Sequence, residues 1–168
     1  MKYNEAKDKF IQAWGTLGSS WGINRTMAQV HALLMISPDA LSAEDIMAEL
    51  KISRGNANMN VRALIDWGLV YRELKPGERK EFFNAEKDIW KAAKHIIKER
   101  RKREIDPVLK VLEEVKKLEG DKNDKKYKAF LSTVNNIEGV IEKTDFALDK
   151  AIKLDENAFV TALFKLFK

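Results

Sequence analysis

Five residues between positions 54 and 62 fall on the outer side of a helical stretch: Arg54, Asn56, Asn58, Met59 and Arg62. The other side of that stretch carries Ala57, Val61, Leu64 and Ile65. The outward types suit the edges of nucleobases. Arginine can donate twice to guanine O6 and N7, asparagine can pair with adenine N6 and N7, and a methionine can touch a thymine methyl. Gly55 lets the backbone come close, and Ser53 at the helix start suits a phosphate oxygen. An ordinary solvated face is the competing reading, but such faces are rich in Glu and Lys, and none occurs between Arg54 and Arg62. Further on, Arg79 and Lys80 lie in a candidate hairpin loop. A basic hairpin tip can enter a minor groove, where arginine reads width and negative potential. It can also simply keep an edge strand soluble.

These residues need a scaffold, and the surrounding chain predicts one that is mostly helical. Phe10, Ile11, Trp14 and Leu17 recur at three- and four-residue spacings, which predicts an amphipathic helix over about 3–19. Gly15, Gly18 and Gly22 predict a loosened end and a turn near 18–23. Asn24 suits the cap of a second helix, about 25–36, with Met27, Val30, Leu33 and Leu34 inward. Ser37-Pro38 stops it, because the residue before proline avoids the helical region. Ser42 with Asp45 three residues on predicts a capping box for a third helix, with Ile46, Met47 and Leu50 facing the core. Its turn, Lys51-Ile52, lacks the usual glycine. Ser53 caps the 54–67 helix, which stops at Gly68. Val70–Leu74 and Lys80–Phe83 read as two strands joined through Pro76-Gly77-Glu78-Arg79.

From 87 onward the chain is helical again. Ile89, Ala93, Ile96 and Ile97 are followed by Val108, Leu109, Leu112 and Val115, with Asp106-Pro107 as a kink or a fresh start between them. A loop at 119–123 leads to a helix over about 125–153 carrying Tyr127, Phe130, Leu131, Val134, Ile137, Ile141, Leu148 and Ile152. Asp155 suits the cap of a last short helix with Phe159, Leu163, Phe164, Leu166 and Phe167. Such helices expose more apolar surface than they cover, which points to pairing with a second copy about a two-fold axis. Packing on the chain's own first helix is the alternative.

Composition narrows the function classes. The 168 residues are 45% hydrophobic and contain no cysteine, which excludes disulfides, thiolate metal sites and a cysteine nucleophile and fits a reducing cytoplasm. The N-terminus carries Glu5 and Asp8 without an apolar run, unlike a signal peptide, and no stretch approaches the roughly 18 apolar residues of a membrane helix. Net charge is +5, and residues 87–103 alone hold eight Lys/Arg against two Asp/Glu. A localised basic patch fits a nucleic-acid partner, although charge runs are commonly just solvated faces. His31 and His95 are too few and too separated for a metal site or a catalytic pair, and no phosphate loop or Ser-His-Asp arrangement is present. No catalytic residue, metal or cofactor is expected.

The run ISRGNANMNVRALIDWGLVYRELKPGERKEFFNAE resembles the winged helix of the MarR superfamily, and within it the GbsR-like branch, through SRGNxxMNxRxLxxWGLV followed by PGERKxxF. The likeness covers about residues 10–105 well and the later helices loosely. The wider superfamily has an Asp two residues before the wing arginine, where this chain has Gly77. The resemblance implies a cytoplasmic, homodimeric transcriptional regulator, a repressor, bound to double-stranded DNA through Arg54, Asn56, Asn58, Met59, Arg62 and Arg79. It also implies a small effector such as choline or glycine betaine. A quaternary ammonium wants an aromatic cage, for which Trp14, Trp21 and Trp90 are candidates, although tryptophans at helical spacing are more often core or interface. The expected organisation is an N-terminal helix (1–24) joining the dimerisation region, a winged helix-turn-helix DNA-binding domain (25–86) and a helical dimerisation region (87–168). The fold class is mainly α with a small β-hairpin. The alternative function is a winged-helix protein-interaction subunit of a larger assembly.

Overall fold

The computed structural model describes residues 1–154; the Asp155-capped helix expected above lies outside them. The elements run α1 (Tyr3–Ser20), α2 (Arg25–Ile36), β1 (Leu41–Ser42), α3 (Ala43–Leu50), α4 (Arg54–Asp66), β2 (Val70–Leu74), β3 (Glu81–Ala85), α5 (Ile89–Arg100), a π-helical segment (Arg101–Ile105), α6 (Asp106–Val115) and α7 (Lys125–Lys153). The chain forms two compact units, Met1–His95 and the part from Ile96 onward. Among the described residues no helix is long and apolar enough to cross a membrane.

In the first unit local signals set the helix limits. The Asn24 side chain accepts from the Met27 amide at 3.1 Å and starts α2. Ser42 and Asp45 make the reciprocal capping box of α3. Hydrogen bonds from Ser42 hold the Asp45 carboxyl below its usual pKa. Gly68 (φ +71) ends α4 in a Schellman arrangement, with its amide on the Ile65 carbonyl and the Leu69 amide on that of Leu64. At the end of α3 the turn is made without glycine: Lys51 takes φ +54, a strained left-handed conformation for a side-chain-bearing residue.

The core lies between α2, α3, α4 and the sheet. Val30, Leu33, Leu34, Ile46, Val61 and Leu64 are essentially solvent-free. The sheet has three antiparallel strands in the order β1-β3-β2, one more than the expected hairpin. Leu41 pairs with Phe83 and Ser42 with Phe82, so the residue that caps α3 also anchors the wing's inner strand. Two residues are too short for side-chain alternation to reveal a strand.

The glycines of α1 play a different part from the one expected. The helix continues through both Gly15 and Gly18 to Ser20, and the turn follows at Trp21–Gly22. Both glycines are buried against α2. A Cβ at Gly18 would stand 2.6 Å from Ala28 Cβ, and one at Gly15 2.7 Å from Gln29 Cγ. Their missing side chains therefore set the close approach of two helices. Leu17, expected on the inward stripe, is exposed.

In the second unit Leu112 of α6 and Val134 of α7 are buried, while Val108, Val111, Phe130, Ile137, Val140 and Phe146 are exposed. Arg101 is bound by Asp145 of α7, with its Nη2 2.7 Å from Oδ2, and Lys116 lies 2.5 Å from Glu138. The Asp106-Pro107 step is neither a break nor a sharp start. Pro107 falls in the first turn of α6. The missing amide is accommodated one turn earlier, where the Asp106 amide reaches back five residues to the Arg101 carbonyl.

Candidate nucleic-acid interface

Helix α4 presents the face that the sequence singled out. Ala57, Asn60, Val61 and Leu64 are buried beneath it. Arg54, Asn58 and Arg62 fall at four-residue spacing along one ridge, and Met59, 59% exposed, stands beside them. The Ser53 hydroxyl accepts from the Asn56 amide at 3.3 Å, so the first turn is capped and its remaining amides point outward. Gly55 has open space where a Cβ would stand, so contact with an outside body could use the bare backbone.

The outward residues are not equally available. Arg62 and Asn58 make no hydrogen bond or ion pair among the described residues. Arg54 is held by Glu44 of α3, Nη2 to Oε1 at 3.0 Å, in an exposed pair. Asn56 is half-buried, and its side-chain oxygen accepts from Asn60 at 2.7 Å.

Strands β2 and β3 leave a loop over residues 75–80. It begins as a type II turn: the Glu78 amide donates to the Lys75 carbonyl at 3.1 Å, Pro76 leads, and Gly77 takes φ +80. Arg79 makes no hydrogen bond or ion pair at this tip among the described residues. Lys80 lies 5.4 Å from the centre of the Phe82 ring and Lys75 4.2 Å from it, so the buried phenyl holds two ammonium groups at the wing's base. Arg72 pairs with Glu81 across the strands at 2.9 Å.

The basic run 87–103 is largely answered by its own surroundings. Lys87 Nζ donates to the carbonyls of Leu34, Met35 and Ser37 at 2.6, 3.1 and 2.7 Å, closing the C-terminal end of α2. Desolvation there lowers its pKa. Arg100 pairs with Glu104, Arg103 with Glu99, and Arg101 with Asp145 and Asp149. Lys98 and Lys102 remain exposed. The net charge of the run is real, but little of it forms a free patch.

The three tryptophans have different neighbours. Trp14 stacks on Phe10 with ring centres 5.7 Å apart and lies 6.3 Å from the His31 ring. Trp21 caps α1 and is exposed. Trp90 has the Lys94 ammonium 5.5 Å from its ring centre. His31 is a core residue of α2 whose Nε2 is buried without a hydrogen-bond partner, and burial lowers its pKa to about 4.

Three residues beside the face were not singled out by the sequence: Glu44, Asn60 and Lys75. Asn60 follows Asn56 by one helical turn, a spacing at which side chains meet. Glu44 and Lys75 come from other elements, and no local pattern ties them to Arg54 or Phe82.

Residues 21–81, from the end of α1 into β3, match the family model of the MarR family. The chain is similar in fold to a solved structure titled "Crystal Structure of a transcriptional regulator", at 16% identity and a TM-score of 0.68, over 88% of this chain and 96% of that one. Helices and a small antiparallel sheet thus form a winged helix with a long helical region, and the likeness to the MarR family lies in residues 21–81. A mutant of S. aureus MepR bound to oligodeoxyribonucleotide matches at 14% identity over 80% of this chain and 93% of that chain, with a TM-score of 0.42. No curated protein sequence matches.

Proposed function

We propose that the protein is a sequence-specific DNA-binding transcriptional regulator, a homodimeric repressor of the MarR type and its GbsR-like branch. The observation that carries this is the outward face of α4. Arg62, Asn58 and Met59 stand free on a rigidly capped helix, with a Cβ-free position beside them and a basic wing in the same unit. In this reading α4 enters a major groove and contacts bases through Arg54, Asn56, Asn58, Met59 and Arg62. Ser53 and Lys80 hold phosphates, and Arg79 enters the flanking minor groove. Residues 25–86 act as the DNA-binding domain, and residues 1–24 and 87–168 supply the dimer contacts. The exposed apolar residues of α6 and α7 support that assignment. A two-fold dimer reads a pseudo-palindrome whose half-sites lie about 34–36 Å apart. The protein works in the cytoplasm, with no enzymatic role. Its effector is a small quaternary ammonium compound for which Trp14, Trp21 and Trp90 offer aromatic faces.

The test is enrichment of bound duplexes from a random pool at several salt concentrations. An enriched palindrome with salt-dependent affinity is the expected result. Absence of salt-dependent binding to any duplex would favour a winged-helix interaction subunit instead. Thermal shift against choline and glycine betaine tests the effector.

A further inference from the structure

Asparagine is amphoteric: its carboxamide can accept on one side and donate on the other, and bidentate adenine readout needs both. Whether Asn56 can do this depends on which end it turns outward, and its neighbour decides. Asn60 is 3% exposed, one turn further along the buried side of α4. One nitrogen of Asn60 stands 2.8 Å from the backbone oxygen of Asn56 and 2.7 Å from its side-chain oxygen. The assignment follows from the first contact. A backbone carbonyl only accepts, so the Asn60 group facing it is the NH2. The same NH2 faces the Asn56 side chain, which must answer with its oxygen. The backbone end of Asn56 is also fixed, since its amide donates to the Ser53 cap. The Asn56 oxygen is therefore committed inward. The N–H groups of the Asn56 carboxamide have no partner among the described residues and are not buried orphans, so they face the accessible side.

We infer that Asn56 is a donor-only reader and Asn60 the positioning residue that makes it so, selecting keto over amino bases at one operator position. In the major groove guanine and thymine present acceptors, O6 and O4, where adenine and cytosine present amino groups. A carboxamide offering only N–H finds an acceptor at O6 or O4 of the first pair; of the second, adenine leaves it N7 alone beside a confronting amino group and cytosine leaves it no acceptor, so guanine is favoured over adenine and thymine over cytosine. The expectation that Asn56 pairs with adenine is thereby replaced, whereas Asn58, with no internal partner, keeps both options. The inference rests on the proposed DNA-binding function.

The experiment is selection of bound duplexes from a random pool by the full-length wild type, Asn56→Ala and Asn60→Leu. Wild type should show one position per half-site with guanine or thymine preferred, and Asn56→Ala should relax that position alone, by roughly fivefold for one lost hydrogen bond. Asn60→Leu keeps the shape but removes the inward donor, so adenine should become tolerated there. A wild-type preference for adenine or cytosine at the Asn56-dependent position overturns the inference. So does a uniform loss of affinity in Asn56→Ala, or an unchanged preference in Asn60→Leu. Failure of wild type to bind any duplex overturns the underlying function as well, which separates the two failures. Should Asn60→Leu not fold, side-chain amide exchange by NMR on the wild type decides: the Asn60 NH2 should be protected and the Asn56 NH2 exchange freely, and the reverse pattern overturns the geometry.

Discussion

The two compact units treat apolar residues differently. In Met1–His95, Val30, Leu33, Leu34, Ile46, Val61, Leu64 and Val70 from α2, α3, α4 and β2 are 2% exposed or less. From Ile96 onward, among the described residues, only Leu112 and Val134 are buried hydrophobics, and comparably large side chains such as Val140 and Phe146 face outward. What ties α6 to α7 is charge as much as apolar packing: Lys116 with Glu138, and on the preceding π-helical segment Arg101 with Asp145. The first unit carries the means of its own stability. Among the described residues the second has amphipathic helices whose apolar sides are exposed, which on the proposed function is the state expected of one protomer of a dimer.

The sharpest way to break this comparison is to cut the same kind of hole in each unit. Leu34→Ala should cost about 2–5 kcal/mol in chemical denaturation, the range for a solvent-free leucine. Val134→Ala should cost markedly less at protein concentrations where the chain is monomeric. Equal losses would mean that the second unit has a core of its own.

Acid probes the first unit's core from within. Burial lowers the His31 pKa from the usual 6.5 to about 4. Above pH 6.5 it is neutral in both folded and unfolded chains and has no effect. As pH falls from 6.5 towards 4 the unfolded chain takes up a proton that the folded one refuses. Stability should drop across that window by up to about 3 kcal/mol. Denaturation midpoints between pH 7 and 4 would show the fall, and His31→Leu should flatten it. An equally steep profile in His31→Leu would show that other groups dominate.

On the proposed function, the free face of α4 and the internally paired basic run also separate. Arg62→Ala should weaken binding to the selected operator by about 1–3 kcal/mol. Arg100→Ala, whose charge is answered by Glu104, should leave affinity and salt slope unchanged. Gel-shift titrations at several salt concentrations distinguish them, and equal effects would return the basic run to the interface.

Two glycines give a last contrast, ending on the smallest effect. Gly18→Ala should destabilise by about 1–3 kcal/mol, because the new methyl meets Ala28 at 2.6 Å. Gly55→Ala meets nothing within 4 Å, so it should stabilise the free protein by up to about 1 kcal/mol through helix propensity while weakening operator binding. Thermal melts and binding titrations of the same two variants check both signs.

These contrasts also show what was legible in the chain. Caps were, because they are local: Asn24, Ser42 with Asp45, Ser53 and Gly68 act where short-range rules place them. The stripe through Val30, Leu33 and Leu34 was legible for the same reason. Gly15 and Gly18 mark the turn that follows at Trp21–Gly22 only loosely, since a glycine that weakens a helix locally can be required by a second helix lying against it. The charge of 87–103 was countable, but its partners were not: Glu99 and Glu104 are a turn away, Asp145 is 44 residues away from Arg101, and Lys87 finds backbone carbonyls on α2. At the candidate site, residue types and facing were legible. Availability was not, because it depends on Glu44 holding Arg54 and Asn60 turning Asn56.

The Arg54–Glu44 pair has a kinetic meaning on the proposed function. A protein that scans a duplex with Arg54 tied to Glu44 presents one free cation fewer to the polyanion than it does once Arg54 is seated on a base edge, and so is drawn less strongly to DNA of any sequence. Its search mode should therefore hold DNA more loosely and glide more freely than its locked mode. The exchange of one carboxylate for a base edge would mark the moment when sliding stops.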